Sequence, residues 1–224
     1  MTRPGYYVGD PPERVPGVTT VISRMRPAEP LMAWAWKEGR DGRDYRDTAQ
    51  SAADAGTLAH RAVAAHLHGR PVVWEHPLSG DPVVDLISEE IIGRAKKAFD
   101  AFLSWQDTSA LVCDQTEVRL VSPTYRVGGT FDALLSHGRR VLAEWKTGNA
   151  VYPEHLVQVR AYGALWEEAH PEQPVEAYIL GRWDKVTGDY HVHHFEPPLT
   201  EALEAFLVCR QLYDLEKKCR ERIR

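Results

Sequence analysis

Residues 141–150, VLAEWKTGNA, read as a strand running into a turn, and that strand carries an acid and a base two residues apart. Side chains alternate along a strand with a period of two, so Glu144 and Lys146 share one face while Ala143, Trp145 and Thr147 share the other. Taken alone, such a pair reads first as a surface ion contact. What precedes it in the chain changes the weighting.

Upstream, VGGTFDALL (127–135) has the same period of two and is joined to the first strand across Ser136-His137-Gly138. A three-residue hairpin loop with glycine in the left-handed position pairs Leu135 with Arg139 and sets Asp132 opposite Leu142. Glu144 is then the diagonal neighbour of Asp132 on one face, with Cβ atoms roughly 7 Å apart. A two-residue loop would instead put the two acids on opposite faces. Gly128 and Gly129 lie just before Asp132, and glycine inside a strand marks the close approach of another backbone. Two buried carboxylates side by side repel, and a divalent cation removes the conflict. Oxygen ligands with open positions suit Mg²⁺ or Mn²⁺, which lower the pKa of bound water and stabilise charge on a phosphodiester under attack.

Around this pair the periodicity predicts an α/β fold. Helices are expected over PLMAWAWKEGR (30–40), over 51–68 up to Gly69-Arg70-Pro71, and through an apolar stripe of Val84, Ile87, Ile91, Ala95, Ala98 and Phe102. From about Ala110 three strands follow, then a helix opened by Pro153, a strand pair across KVTG (185–188), and a closing helix from Thr200. GVTTVIS (17–23) reads as a short β-branched strand or extended segment. Helices, three strands, helix, strand pair, helix is the order of a mixed central sheet between helical layers. One domain over 1–224 is expected, with a helical elaboration at about 28–105 and a C-terminal helix at about 200–222.

The chain has 224 residues, 43% hydrophobic and 26% charged, enough for one substantial core. No run approaches the roughly 18 apolar residues of a membrane span, and MTRPGYYVGD lacks a secretion-signal core, so a cytoplasmic protein is expected. A net charge of -5 argues against a protein that coats nucleic acid non-specifically, though not against a local basic groove. Cys113, Cys209 and Cys219 are too few and scattered for a disulfide framework.

An ordered set of short motifs resembles the PD-(D/E)xK nucleases, specifically the RecB-like exonuclease branch of phages and the mitochondrial genome-maintenance exonuclease. PGVTTVIS and PLMAWAW look like the N-terminal segments of that branch, and AGTLAH (55–60) like its G-T-x-x-H helix. VGGTFDALL is similar to its G-x-x-D strand, LAEWKTG to its (D/E)-x-K-T strand, and QVRAY (158–162) to its Q-x-x-x-Y helix. Together they cover about 16–165 in family order.

The resemblance implies a restriction-endonuclease-like core and a Mg²⁺- or Mn²⁺-dependent deoxyribonuclease. His60, Asp132, Glu144 and the carbonyl of Trp145 would ligate the metal, and Lys146 would be the catalytic lysine. Gln158 and Tyr162, four apart on one helical face, would contact the DNA backbone or brace the site; Glu117 is a further candidate acid. Arg119, Arg126 and Arg160 are candidate phosphate contacts because they lie near the motifs. Implied substrates are free or single-stranded DNA ends, with 5′-phosphate and 3′-hydroxyl products, in recombination, repair or replication. Iron–sulfur relatives hold their cluster with four cysteines and this chain has three, so no cluster is expected. There is no G-x-x-x-x-G-K-[ST] loop, so unwinding would need a helicase or recombinase partner.

Blander readings stand beside these. His60 could be an ordinary helix histidine, and Gln158 and Tyr162 mere helix surface and core. His191 and His193 share a strand face and could bind zinc, or simply face solvent. The chain could also be a DNA-end-binding module without catalysis, or a sequence-specific endonuclease.

Overall fold

The computed structural model describes residues 5–74 and 88–223. A five-stranded mixed sheet forms the centre, in the order β3 (Val112–Ser122), β4 (Val127–Ser136), β5 (Arg140–Lys146), β6 (Ala177–Trp183), β7 (Tyr190–Phe195). All neighbours are antiparallel except β5 and β6. A parallel pair needs a crossover, and α5 (Pro153–Ala169), with proline in its first turn, provides it.

Helices cover both faces. On one side α5 packs with α1 (Val18–Ile22) and α6 (Thr200–Arg222), around Phe131, Leu134, Leu142, Trp166 and Phe206. On the other lie α3 (Tyr45–Leu67) and α4 (Glu89–Gln106). There Phe102 sits within 5.7, 5.8 and 5.7 Å of the rings of Trp105, Trp145 and Trp183. Each large side chain buried so completely stabilises the fold by about 1.5–3 kcal/mol. A small hairpin of β1 (Tyr6–Val8) and β2 (Glu13–Val15) and the helix α2 (Ala28–Arg40) complete the chain. Among the described residues no helix is long and apolar enough to cross a membrane.

Two expectations change, and one element was not expected. GVTTVIS forms α1 rather than a strand, because Val18, Val21 and Ile22, at i, i+3 and i+4, all point into the α5-side core. The β1–β2 hairpin was hidden by the Pro and Gly around it. The loop between β4 and β5 is His137-Gly138-Arg139, pairing Ser136 with Arg140, one residue later than expected. Gly138 keeps the left-handed conformation at φ +71°. This moves the register by two residues, an even number, so the facing of each side chain survives the error. The ladder ends at the Ala133–Ala143 pair, and beyond it Asp132 meets β5 through its side chain, which accepts the Trp145 N–H. Of the expected α4 stripe, Val84 and Ile87 lie outside the described residues, while Ala95, Ala98 and Phe102 are buried.

The β3–β4 ladder shifts register between Cys113 and Gln115, and the side-chain alternation of β4 slips further along, at Asp132. Val127, Phe131 and Leu134 pack toward α5, whereas Ala133 and Leu135 pack toward α4, so the period of two breaks at Asp132. Across from it Glu117 has φ +51°, and the pairing skips from Thr116–Ala133 to Val118–Phe131. The sheet thus carries a paired irregularity at the residue that reaches the site.

Candidate active site

The side chains brought together come from four elements. In α3, Ala55, Leu58, Ala59, Ala62 and Val63 face the sheet, and His60 stands at the flank of that stripe beside β4. Its Nδ1 lies 2.9 Å from Asp132 Oδ1. Asp132 Oδ2 accepts the backbone N–H of Trp145 at 2.6 Å, so past the Ala133–Ala143 pair a carboxylate receives the N–H of β5.

Glu144 and Lys146 project on the Leu142 side of β5, toward α5. Lys146 Nζ donates to Glu144 Oε1 at 2.9 Å and to Gln158 Oε1 at 2.8 Å. Gln158 Nε2 donates to Glu144 Oε1 at 2.8 Å and to the hydroxyl oxygen of Tyr162 at 3.0 Å. Gln158 and Tyr162 are both buried, so they brace the acid and the lysine from within. Gly129 is required here, since a Cβ at that position would run into the Tyr162 ring.

Burial, and then the neighbouring Asp132 carboxylate, push Glu144 up to about 7. Burial is the largest single influence on Asp132 and on His60 and opposes ionisation of both, but the neighbouring charges and hydrogen bonds together outweigh it. His60, then Lys146 and the Trp145 N–H, leave Asp132 below its ordinary value, and Asp132 leaves His60 above its own. Glu144 Oε2 is buried and has no hydrogen-bond partner among the described residues. A buried acceptor left bare costs about 1–3 kcal/mol. Among the described residues no three His, Cys, Asp or Glu side chains are gathered into a ready metal cage as they stand, hydrogen-bonded to one another. The donor chemistry nonetheless fits a hard divalent ion: two neighbouring carboxylates, of which Asp132 raises the proton affinity of Glu144, one oxygen with no partner among the described residues, and an imidazole.

Of the expected site residues, His60, Asp132, Glu144, Lys146, Gln158 and Tyr162 converge, and Trp145 joins through its N–H while its indole lies in the opposite core. Glu117 lies across from Asp132 at the irregular step. The three arginines do not join them. Arg119 lies 4.1 Å over the Tyr6 ring and donates to the Gly5 carbonyl, and Arg126 pairs with Glu13. Arg160 is buried against Glu167 and the Pro198 carbonyl. Proximity in sequence is no guide to facing once the chain turns into a helix or an edge strand. His191 and His193 are exposed on β7, and neither belongs to a three-ligand group among the described residues.

His155 was missed. Its Nδ1 accepts the Tyr152 N–H, and burial, then Lys146 and Arg26, push its pKa down to about 4, leaving a neutral imidazole beside the lysine. The signal was present: residues 155, 158 and 162 lie at i, i+3 and i+7, one face of a helix.

No family model matches the chain, and no curated protein matches it. Solved structures do. A Eubacterium rectale protein named "Putative exonuclease" is 9% identical over 70% of this chain and 64% of its own, with a TM-score of 0.45. LHK-Exo, solved in complex with dAMP, is 14% identical over 77% of this chain and 89% of its own, at 0.40. SSO0001 is 18% identical over 54% and 63%, at 0.33. The chain thus spans under two thirds of the first and of the last. Likeness at this level carries no argument about activity.

Proposed function

We propose that the chain is a metal-dependent deoxyribonuclease of the PD-(D/E)xK pattern, hydrolysing phosphodiester bonds from free or single-stranded DNA ends. The observation that carries this reading is buried Glu144 beside partly buried Asp132 and Lys146, with one Glu144 oxygen left without a partner among the described residues. His60, Asp132 and Glu144 would hold Mg²⁺ or Mn²⁺, with the Trp145 carbonyl as a further ligand. When bound, such an ion supplies a nucleophilic water at neutral pH and offsets negative charge on the phosphate.

The protein's own groups do the rest. Lys146, held by Glu144 and Gln158, presents a fixed ammonium where charge develops on the phosphate oxygens. Gln158 and Tyr162 keep that ammonium and the Glu144 carboxylate in register, and His60 orients Asp132. Hydrolysis adds the water oxygen to phosphorus and breaks the bond to the 3′-oxygen, which takes up a proton. The products are a 5′-phosphate and a 3′-hydroxyl.

End dependence is tested by incubating linear duplex, single-stranded and closed circular DNA with the protein and Mg²⁺ or Mn²⁺. Digestion of the open substrates with the circle intact is expected. Cleavage of the circle at fixed positions would replace this reading with a sequence-specific endonuclease. Binding of ends with no digestion would replace it with a binding module.

A further inference from the structure

Beyond the carboxyl ends of β5 and β6, the parallel pair, lies a second group of side chains that the acid and lysine centre does not use. Arg94 comes from α4, Ser51 from α3, Thr147 follows Lys146, and Lys185 follows β6. Lys185 is buried, and Arg94 and its own burial hold its pKa below the ordinary lysine value, burial more than Arg94. Lys97, one turn along α4 from Arg94, donates to the carbonyl of Val186, the residue after Lys185, so Arg94 and Lys185 sit on facing segments.

Neither is properly partnered. Among the described residues, Lys185 Nζ has one hydrogen bond, to Thr147 Oγ1 at 3.5 Å. Among the same residues Arg94 Nη1 reaches Ser51 Oγ at 3.5 Å, and Arg94 Nε is buried with no hydrogen-bond partner. Both bonds sit at the outer limit of hydrogen-bond length. The nearby acid is engaged elsewhere. Asp184 Oδ2 accepts from Arg182 at 2.9 Å, and Oδ1 accepts the N–H groups of Val186 and Thr187 at 2.8 and 3.1 Å. Lys97 adds a third positive charge at the rim.

A buried lysine beside an arginine whose Nε is buried, with their bonds half made, is unfavourable unless an anion completes them. The group is also contiguous with the acid and lysine centre. Thr147 adjoins Lys146, and a Cβ on Gly56 would stand 2.8 Å from Thr147 Oγ1, so α3 closes on Thr147 one turn before His60.

We infer that Arg94 and Lys185, with the hydroxyls of Ser51 and Thr147, form a phosphate-binding subsite that takes a phosphate of the nucleic-acid strand next to the one cut at Lys146. That the phosphate belongs to a nucleic acid rests on the nuclease reading; the affinity for phosphate does not. A terminal phosphate and an internal phosphodiester offer the same chemistry to this site.

The first test needs neither metal nor cleavage. In EDTA, the thermal unfolding of the native protein is followed with inorganic phosphate or with chloride at matched ionic strength. Phosphate is expected to raise the midpoint above its chloride value, and Arg94→Gln and Lys185→Gln to lose that increment. Fluorescence anisotropy in EDTA then compares a 5′-phosphorylated oligonucleotide with its 5′-hydroxyl counterpart. Each variant should weaken binding about tenfold and lower the salt slope by about one. If the phosphate taken is terminal, the native protein prefers the phosphorylated strand and the variants erase the preference. If it is internal, both strands bind alike and both weaken. Phosphate acting on the native protein as chloride does, or variants that bind both strands as the native protein does, would overturn the subsite. Loss of the subsite with cleavage retained leaves the nuclease reading standing. Phosphate binding without any cleavage removes that reading and leaves the subsite.

Discussion

Replacing Glu144 by Gln should abolish activity and, in the absence of metal, make the protein more stable above pH 7. The folded protein raises the Glu144 pKa from 4.5 to about 7, by burial first and by Asp132 second. Because the folded value lies above the unfolded one, the protonated acid contributes its full stability below about pH 4.5. That contribution fades as pH rises and is gone above about 7. At 1.36 kcal/mol per pKa unit, a difference of about 2.5 corresponds to about 3 kcal/mol. The amide of the Glu144→Gln variant would keep an oxygen to accept from Lys146 and Gln158 and would carry no charge, but its N–H₂ must find acceptors where Oε2 has no partner. With that cost at the low end, about 1 kcal/mol, the expected gain is about 2 kcal/mol at pH 8, and at pH 4, where the protonated acid's own O–H faces the same lack of a partner, it is close to none. Urea unfolding of both proteins in EDTA reads this directly, as a midpoint shift of about 0.5–1 M at pH 8. A shift that does not change with pH, or a Gln variant less stable at pH 8, would refute the reasoning.

Tyr162→Phe removes the acceptor for Gln158 Nε2 and should lower stability by about 1 kcal/mol, with kcat falling more than strand affinity, as steady-state kinetics and thermal unfolding would register. Gly129→Ala drives a methyl into the Tyr162 ring at a cost of about 1–3 kcal/mol; in Tyr162→Leu the same change should cost much less, and a double-mutant cycle reports the coupling. Phe102→Ala empties the space between Trp105, Trp145 and Trp183 and should cost about 3–5 kcal/mol by denaturant unfolding.

Periodicity carried most of the fold. Strands β3 to β5, the α5 crossover and the closing helix follow from runs whose apolar spacing is unambiguous, and Gly138 marked its own turn. The errors share one physical origin, which is that long-range contacts overrule local preference. Val18 and Val21 favour a strand by type, yet the core under α5 favours helical spacing. The break in alternation at Asp132 and Glu117 has no local signature, because it is shared between two strands that meet only in the sheet. The centre of the site was legible for a simpler reason. Glu144 and Lys146 are two apart on one strand, Gln158 and Tyr162 four apart on one helix, and such spacings survive a slipped loop. The misplaced arginines and the missed His155 show the converse. Arg160 is next to the site in sequence but turned to Glu167, whereas His155 is buried on the same α5 face as Gln158 and Tyr162, a position its helical spacing marked.

The central claim, that the two acids and Lys146 form a nuclease centre, is tested most directly by nucleotide release from a 5′-labelled single strand. Native protein and Lys146→Ala are compared with Mg²⁺, Mn²⁺ or EDTA. Digestion by the native protein with either metal, absent in EDTA and lost in a folded Lys146→Ala, is the expected result. An intact strand with both metals, or a variant that digests as fast as the native protein, would contradict it.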